Sequence, residues 1–375
     1  MVVACNPPAA FTQIPTDPGT TTITGPDKDD LWGVVYTPPA DLFTPGTSQL
    51  VHYDTNVRHP VTAPPAFAKG PGGLIQAFGS AGTNEVWLAS TEADSSTTPG
   101  KTPIVWEEKV DGTTVDHSAD FPVLSPNSNE AYGGPLMLAG NGQVVIVFES
   151  HPTGAKIVRY ANGTANPIAS PPAIFTGFKP VLVLGANNIF FESTAGDNSI
   201  ALFQFDGTNW NQLQRPALGN AAYVSYGTDS WAFDTSLTQT SPFTVYHLNG
   251  TTFEPVTFSV KTNFSVPASS SWLPVGLVPL SGGKFAWIGQ VSEGQKDTAT
   301  PNRKMAFRKW DGKSLSTGDT DLTTDNPDCQ DATAACQAPK SLFGTVFQDG
   351  SVLMKSSSDA SQGVLYFTSP HSTFE

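Results

Sequence analysis

Three carboxylates recur at the same place in the sequence grammar: Glu149 ends the run VFES, Glu192 ends FFES and Asp234 lies in AFDT, each at the exit of a short apolar segment. Acidic groups at corresponding ends of successive elements can converge on a cation. They can also act as acid and base on a glycosidic bond, which needs two carboxyls about 5 to 10 Å apart. The same residues are equally at home as solvated or backbone-bonded groups, and a one-residue slip in strand register turns each to the opposite side. A denser run, Asp319, Asp321, Asp325, Asp328 and Asp331, is rich enough in oxygen for Ca²⁺ but lacks the DxDxDG opening of an EF-hand loop. No cofactor is therefore expected except calcium, with Asp319, Asp321 and Asp325 as its ligands.

Phe67, Tyr132, Phe178, Trp272 and Phe343 stand near Gly or Pro at the entries to apolar strands. Such rings stack on sugars or pack between sheets, and the sequence admits both uses. The six histidines are scattered, and no G-x-S-x-G elbow, His-based metal motif or phosphate-cradling glycine loop is present. Catalysis has no signature beyond the carboxylates.

Cys329 and Cys336 enclose QDATAA in a Pro- and Asp-rich stretch, a spacing that suits a local disulfide in an oxidising compartment; the alternative is a pair of free thiols. Cys5 follows Val2-Val3-Ala4, which resembles the end of a bacterial lipobox, although no charged and long apolar segment precedes it. The resemblance implies acylation at Cys5, with the Pro-, Thr- and Gly-rich residues that follow acting as a spacer. An ordinary tail with an incidental cysteine fits the same residues.

The net charge of −14 arises from 19 Lys plus Arg against 33 Asp plus Glu, which argues against a phosphate-binding surface and so against nucleic acid. No run of 18 apolar residues exists, so a membrane is expected only through the lipid anchor. Only 14% of residues are charged, while Gly (34) and Pro (32) are abundant, as in a chain of many short strands and turns. No 3.6-residue apolar period is sustained, so little helix is expected.

What must position these groups is a repeat. Asx-Gly turns occur at Asp111-Gly112, Asn162-Gly163, Asp206-Gly207, Asn249-Gly250 and Asp311-Gly312, their glycines 51, 44, 43 and 62 residues apart. Each reads as a two-residue type I′ hairpin, whose positive φ angles Asn, Asp and Gly tolerate. Tyr53 to Asn56 and Thr368 to His371 read as degenerate first and last copies. Upstream of each copy a second turn precedes a continuous apolar strand: LWGVVY, EVWLAS, QVVIVF, NIFFES, DSWAFD, KFAWIG and SVLMKS. Continuous apolar strands are buried on both faces.

Four strands in each of seven units of about fifty residues resemble a β-propeller of bacterial secreted proteins or lipoproteins, although no named repeat family matches. The resemblance implies an all-β, seven-bladed β-propeller of four-stranded antiparallel blades over residues 21–375. Residues 1–20 are then a tail, an anchor spacer or a closing strand. The sialidase box Ser-x-Asp-x-Gly-x-Thr-Trp is absent.

The turns of the first kind are tight, whereas the connections at 38–48, 90–103, 125–134, 292–304 and 323–339 are long. Long loops on a rigid scaffold carry binding. The expected protein is a monomeric, extracytoplasmic propeller, secreted or outer-membrane lipoprotein, that presents its long-loop face to a protein or glycan. A glycoside hydrolase or polysaccharide lyase using Glu149, Glu192 or Asp234 is the alternative.

Overall fold

Short apolar runs punctuated by Gly, Asn and Asp turns have too little length for a helix and bury both faces only as strands between sheets. The computed structural model describes residues 12–14, 20–38, 47–54, 57–61, 75–93, 101–120, 135–150, 154–168, 175–195, 199–235, 242–260, 272–293, 302–317, 320–321, 342–347, 349–357, 364–369 and 371–375. Among them there is no α-helix, and seven four-stranded antiparallel sheets are formed.

The first strand is β1 (Thr12–Ile14). Gly19–Arg215 is one compact unit. It carries four sheets. The first holds β2 (Thr20–Asp27), β3 (Asp30–Thr37), β4 (Thr47–Asp54) and β5 (Val57–Val61). In the second are β6 (Ala77–Gly79), β7 (Glu85–Ala93), β8 (Lys101–Lys109) and β9 (Thr114–Asp116). The third has β10 (Leu136–Gly140), β11 (Gln143–Ser150), β12 (Gly154–Ala161) and β13 (Thr164–Ile168). The fourth has β14 (Phe175–Gly185), β15 (Asn188–Ala195), β16 (Ile200–Phe205) and β17 (Trp210–Leu213).

Met1–Pro18 and Pro216–Glu375 form the other compact unit, with three sheets. The fifth sheet is β18 (Ala221–Tyr226), β19 (Asp229–Asp234), β20 (Phe243–Asn249) and β21 (Thr252–Phe258). The sixth is β22 (Trp272–Leu280), β23 (Lys284–Glu293), β24 (Asn302–Trp310) and β25 (Thr320–Asp321). The last contains β26 (Leu342–Val346), β27 (Val352–Ser357) and β28 (Val364–Ser369), and its fourth strand is β1. Serial four-stranded antiparallel meanders of this kind are the β-propeller architecture that the repeat predicts.

All seven apolar runs lie on the second strand of a sheet, where the chain has a hydrogen-bonded neighbour on both sides. Val144 and Ile146 face the core shared with Trp87 and Val105 of the second sheet, while Val145 and Val147 face Phe178 and Phe191 of the fourth. Alternation therefore serves two cores at once, and each fully buried Val, Ile or Phe contributes about 1.5 to 3 kcal/mol. In the other unit, Trp231, Phe285 and Trp287 are nearly or fully excluded from solvent in one aromatic core.

Of the roles that the sequence leaves open for residues 1–20, the closing strand is formed: β1 completes the last sheet. Thr12, Gln13 and Ile14 pair with Thr368, Phe367 and Tyr366, and Ile14 is fully buried. Thr368 to His371 is accordingly not a hairpin: β28 ends at Ser369, and His371–Thr373 is a single 3₁₀ turn.

The Asx-Gly turns are also less uniform than their spelling. Among the five, Asn162-Gly163 alone has positive φ at both residues, at 51° and 71°. At Asn249-Gly250 the asparagine still pairs in the ladder with Thr252, so glycine takes the first loop position. The three Asp-Gly turns are wider. Asp206 Oδ1 accepts the amides of Thr208 and Asn209, and Asp311 Oδ1 those of Lys313 and Ser314, while Asp111 Oδ1 takes that of Thr113. A carboxylate can cap two amides, so Asp selects the longer loop where Asn accepts the tighter one.

The caps show in acidity. The Asn209 and Thr208 amides hold the Asp206 carboxyl down at about 2. Because the folded value lies below the unfolded one, the stabilisation is present above the ordinary aspartate range and is lost as pH falls through about 2. Asp206→Asn is expected to lower the melting temperature modestly at pH 6 and to leave no difference from the parent at pH 2. An undiminished difference at pH 2 would count against the cap.

Candidate functional site

In every sheet the links between strands one and two, and between strands three and four, leave from one end; the remaining links leave from the other. At the first end the links are short, except that 311–319 joins β24 to β25, and the polar groups at the heads of β3 and β19 are paired within the protein. Asp30 opens β3, and its Oδ1 accepts from His52 Nε2 on β4 at 2.7 Å, while Oδ2 accepts the Asn84 amide of the next sheet. Trp32, two residues on, lies against the His52 ring at 4.6 Å. Since an ionised carboxylate only accepts, Nε2 carries the proton.

The fifth sheet repeats the device. Asp229 opens β19, takes His247 Nε2 at 3.1 Å and the Gly282 and Gly283 amides of the following sheet at 2.9 and 2.8 Å, and Trp231 stacks on His247 at 4.3 Å. A carboxylate, an indole and an imidazole thus tie one sheet to the turn of the next. Elsewhere the chemistry varies but the reach persists. Gln204 donates to Asn188 at 2.7 Å, and Arg159 donates to the Ala186 carbonyl in the turn of the next sheet. The sequence does hold the signal, as Asp30-Leu31-Trp32, Glu85-Val86-Trp87 and Asp229-Ser230-Trp231 at the heads of three apolar strands. Histidines that look scattered along the chain are paired by register: Trp32 lies opposite His52 and Trp231 opposite His247.

The densest group of reactive side chains lies between the second and third sheets. His117 Nε2 is 3.4 Å from Glu107 Oε2 and its Nδ1 is 3.4 Å from Asp120 Oδ2. Trp87 stacks on the imidazole at 4.5 Å, and the Tyr160 hydroxyl donates to Asp120 at 3.3 Å. Burial, then the Asp120 charge, pushes the Tyr160 hydroxyl pKa upward, so the phenol stays protonated. With Trp87 over one face and Tyr160 at its edge, the imidazole is enclosed by its own protein. The cluster clasps two sheets.

The carboxylates singled out by sequence lie at the opposite end. Glu192 Oε1 accepts from Arg215 Nε at 2.8 Å, both side chains being mostly buried. Asp234 Oδ2 accepts the Gly219 amide at 3.3 Å. Glu149 is on β11 opposite Ala155, with only its backbone among the described residues. Of the five aromatic candidates, Phe178 is fully buried against Phe203 and Trp210 at 6.0 and 5.7 Å, which makes it a core ring between the third and fourth sheets. Trp272 and Phe343 lie on β22 and β26 by backbone alone, and Phe67 and Tyr132 fall outside the described residues. So do Asp319, Asp325, Cys5, Cys329 and Cys336, while Asp321 is placed by its backbone on β25. Among the described residues no three His, Cys, Asp or Glu side chains are grouped to hold a metal.

No family model matches the chain, and no curated protein matches it. Solved structures do. The β-propeller domain of the Trilobed protease from Pyrococcus furiosus is 8% identical, with a TM-score of 0.46 over 94% of this chain and 95% of that one. An acylaminoacyl peptidase from Pyrococcus horikoshii is 9% identical at a TM-score of 0.46, and the match spans 90% of this chain but 50% of the peptidase. AofleA from Arthrobotrys oligospora, in a mutant form, is 11% identical at a TM-score of 0.39, covering 84% and 89%. The likeness is one of fold.

Strands at the open end run further than the sequence suggests. Glu92 pairs with Thr102 and Ala93 with Lys101, and Glu293 pairs with Asn302, so the long connections 90–103 and 292–304 narrow to 94–100 and 294–301. Thr-, Ser- and Lys-containing segments that read as loop extend the ladder, because each added pair satisfies backbone groups. Within each compact unit, the candidate binding surface is this end of its own sheets.

Proposed function

We propose that the chain is an extracytoplasmic binding propeller that takes a protein or glycan on the end bearing its long connections. The observation that supports this reading is the division between the two ends of the sheets. Asp30, Asp229, His52, His247 and His117 are spent on joining sheets, whereas the connections at 94–100 and 294–301 are longer than any hairpin geometry needs. Functional residues concentrate on such connections when the scaffold below is rigid. The engagement of Glu192 by Arg215 and of Asp234 by Gly219 gives the hydrolase or lyase alternative less support, since a carboxyl acting on a sugar must be open to it. Calcium at Asp319, Asp321 and Asp325, a Cys329–Cys336 disulfide and acylation of Cys5 belong to the same proposal.

The test is a glycan array and surface-protein cross-linking, each with calcium and with chelator, on the parent and on a variant whose 94–100 and 294–301 segments are both replaced by Asn-Gly. Binding by the parent and its loss in a variant that melts at nearly the same temperature is the expected result. Undiminished binding after both replacements would remove the long connections from the site. Turnover of chromogenic glycosides by the parent would favour the enzyme instead.

A further inference from the structure

The joint between the first and second sheets contains a carboxyl with no evident reason to be there. Glu108 on β8 is 2% exposed, and its Oε2 has no hydrogen-bond partner. Register places Glu108 opposite Val86 and Trp106 opposite Leu88, and Val86 and Leu88 pack with Trp32, Val34 and Leu50 of the first sheet. Glu108 therefore faces the first sheet. Two indole N–H groups of this seam, Trp32 Nε1 and Trp106 Nε1, are also buried without acceptors.

The charged groups facing the seam give little help to an anion. From the first sheet come Asp30 and His52, whose Nε2–H is already committed to Asp30, and, opposite them and more exposed, Asp54 and His59. From the second sheet comes Asp111 in the turn beyond β8, whereas Glu85, opposite Lys109, is on the other face. Thr114 of β9 lies opposite Glu108, while Glu107 and Lys109, one position either side, alternate to the other face and pair with one another at 3.3 Å. An ionised Glu108 would be a buried anion among carboxylates.

We propose that Glu108 is a proton-operated joint: its carboxyl is neutral while the first and second sheets are closed on one another, and loss of that proton loosens β8 from β3. Burial, and then the Asp111 charge, pushes this carboxyl up to about 7. The folded value lies above the unfolded one, so the sign is fixed. The contribution of the neutral group is full below the ordinary glutamate value of about 4.5 and is gone once pH has risen through about 7. A protein exported to compartments of different acidity would thus be tight when acid and looser when neutral. Glu85, raised by burial first and by Glu107 next, adds the same background to any variant at position 108.

The experiment is amide hydrogen exchange at β3 and β8, corrected for intrinsic rates, on the parent and on Glu108→Gln at pH 5 and pH 8. In the parent, opening at these strands is expected to rise by up to roughly a hundredfold between the two pH values; in Glu108→Gln only the smaller rise due to Glu85 remains. Equal pH dependence in the two proteins overturns the proposal. Should Glu108→Gln fail to fold, carboxyl-carbon NMR of the parent labelled at glutamate decides. One resonance titrating near neutrality supports the joint, and glutamates that all titrate in the ordinary range overturn it.

Discussion

Asp30→Ala is expected to lower the unfolding free energy by about 3 to 5 kcal/mol, measured by denaturant titration at pH 7. The side chains of Asp30 and His52 are 7% and 4% exposed, and the carboxylate holds both the His52 Nε2–H and the Asn84 amide. Alanine leaves a buried imidazole donor without its acceptor under Trp32, and leaves the Asn84 amide without one as well. Asp30→Asn retains one acceptor oxygen and should cost less than half as much. Asp229→Ala tests the same geometry in wetter surroundings: its partner His247 is 27% exposed, so water re-satisfies part of what is lost. The order Asp30→Ala, then Asp229→Ala, then Asp30→Asn is the signature of burial. A loss under about 1 kcal/mol for Asp30→Ala, the range of an exposed ion pair, would show that the clamp does not hold the sheets.

The seven apolar strands were legible because burial on both faces leaves a continuous run, bounded by residues that cannot extend it. The clamp was not legible in the same way. Its members lie 22 residues apart in Asp30 and His52 but 18 apart in Asp229 and His247, because the connection between strands two and three differs in length. A fixed spacing never appears in the sequence, although the cross-strand register is the same. His117 is harder still, since it follows β9 and reaches back to Trp87 from outside any ladder. Turn chemistry failed at a finer scale: Asp-Gly and Asn-Gly look interchangeable as letters, yet in the wider Asp-Gly turns the aspartate Oδ1 caps the amides two or three residues on. Glu149 and Asp234 lie at the ends of β11 and β19, whereas Glu192 is followed by three more residues of β15. Their partners, Arg215 after β17 for Glu192 and the Gly219 amide before β18 for Asp234, come from outside the strands, and no local pattern announces them.

These observations bear on function through one physical distinction. Groups that join sheets must be buried and paired, so their chemistry is used up, and substitution at them is read as instability. Groups that bind a ligand must keep unspent hydrogen-bonding capacity until the ligand arrives. In both compact units the clamps of the tight-turn end, Asp30 with His52 and Asp229 with His247, belong to the first kind. A variant that loses binding without losing stability can therefore be sought only at the other end, which is why the two loop replacements, rather than any histidine, are the informative change.

Phe374→Ala is expected to cost about 3 to 5 kcal/mol, although the residue is next to last in the sequence. Its ring is fully buried, sits edge-on to Phe307 at 5.3 Å, and shares a core with Val278, Ile288 and Val352 of the sixth and last sheets. The 3₁₀ turn before it is held on two sides. His371 Nε2 donates to the Pro279 carbonyl at 3.1 Å, and the His371 ring lies 4.0 Å from that of Tyr226. Gly350 shows how closely these groups meet: with φ at 78°, a Cβ there would come within 2.6 Å of both the His371 and Tyr226 rings. Gly350→Ala should accordingly displace the turn and reproduce much of the Phe374→Ala loss, and the double substitution should cost less than the sum because one displacement serves both. Full additivity, or a Phe374→Ala loss below about 1 kcal/mol, would mean that the turn is laid over the sheets without fixing them. Subadditivity would make residues 371–375 a wedge that the last sheet needs, as it needs β1 on its opposite edge.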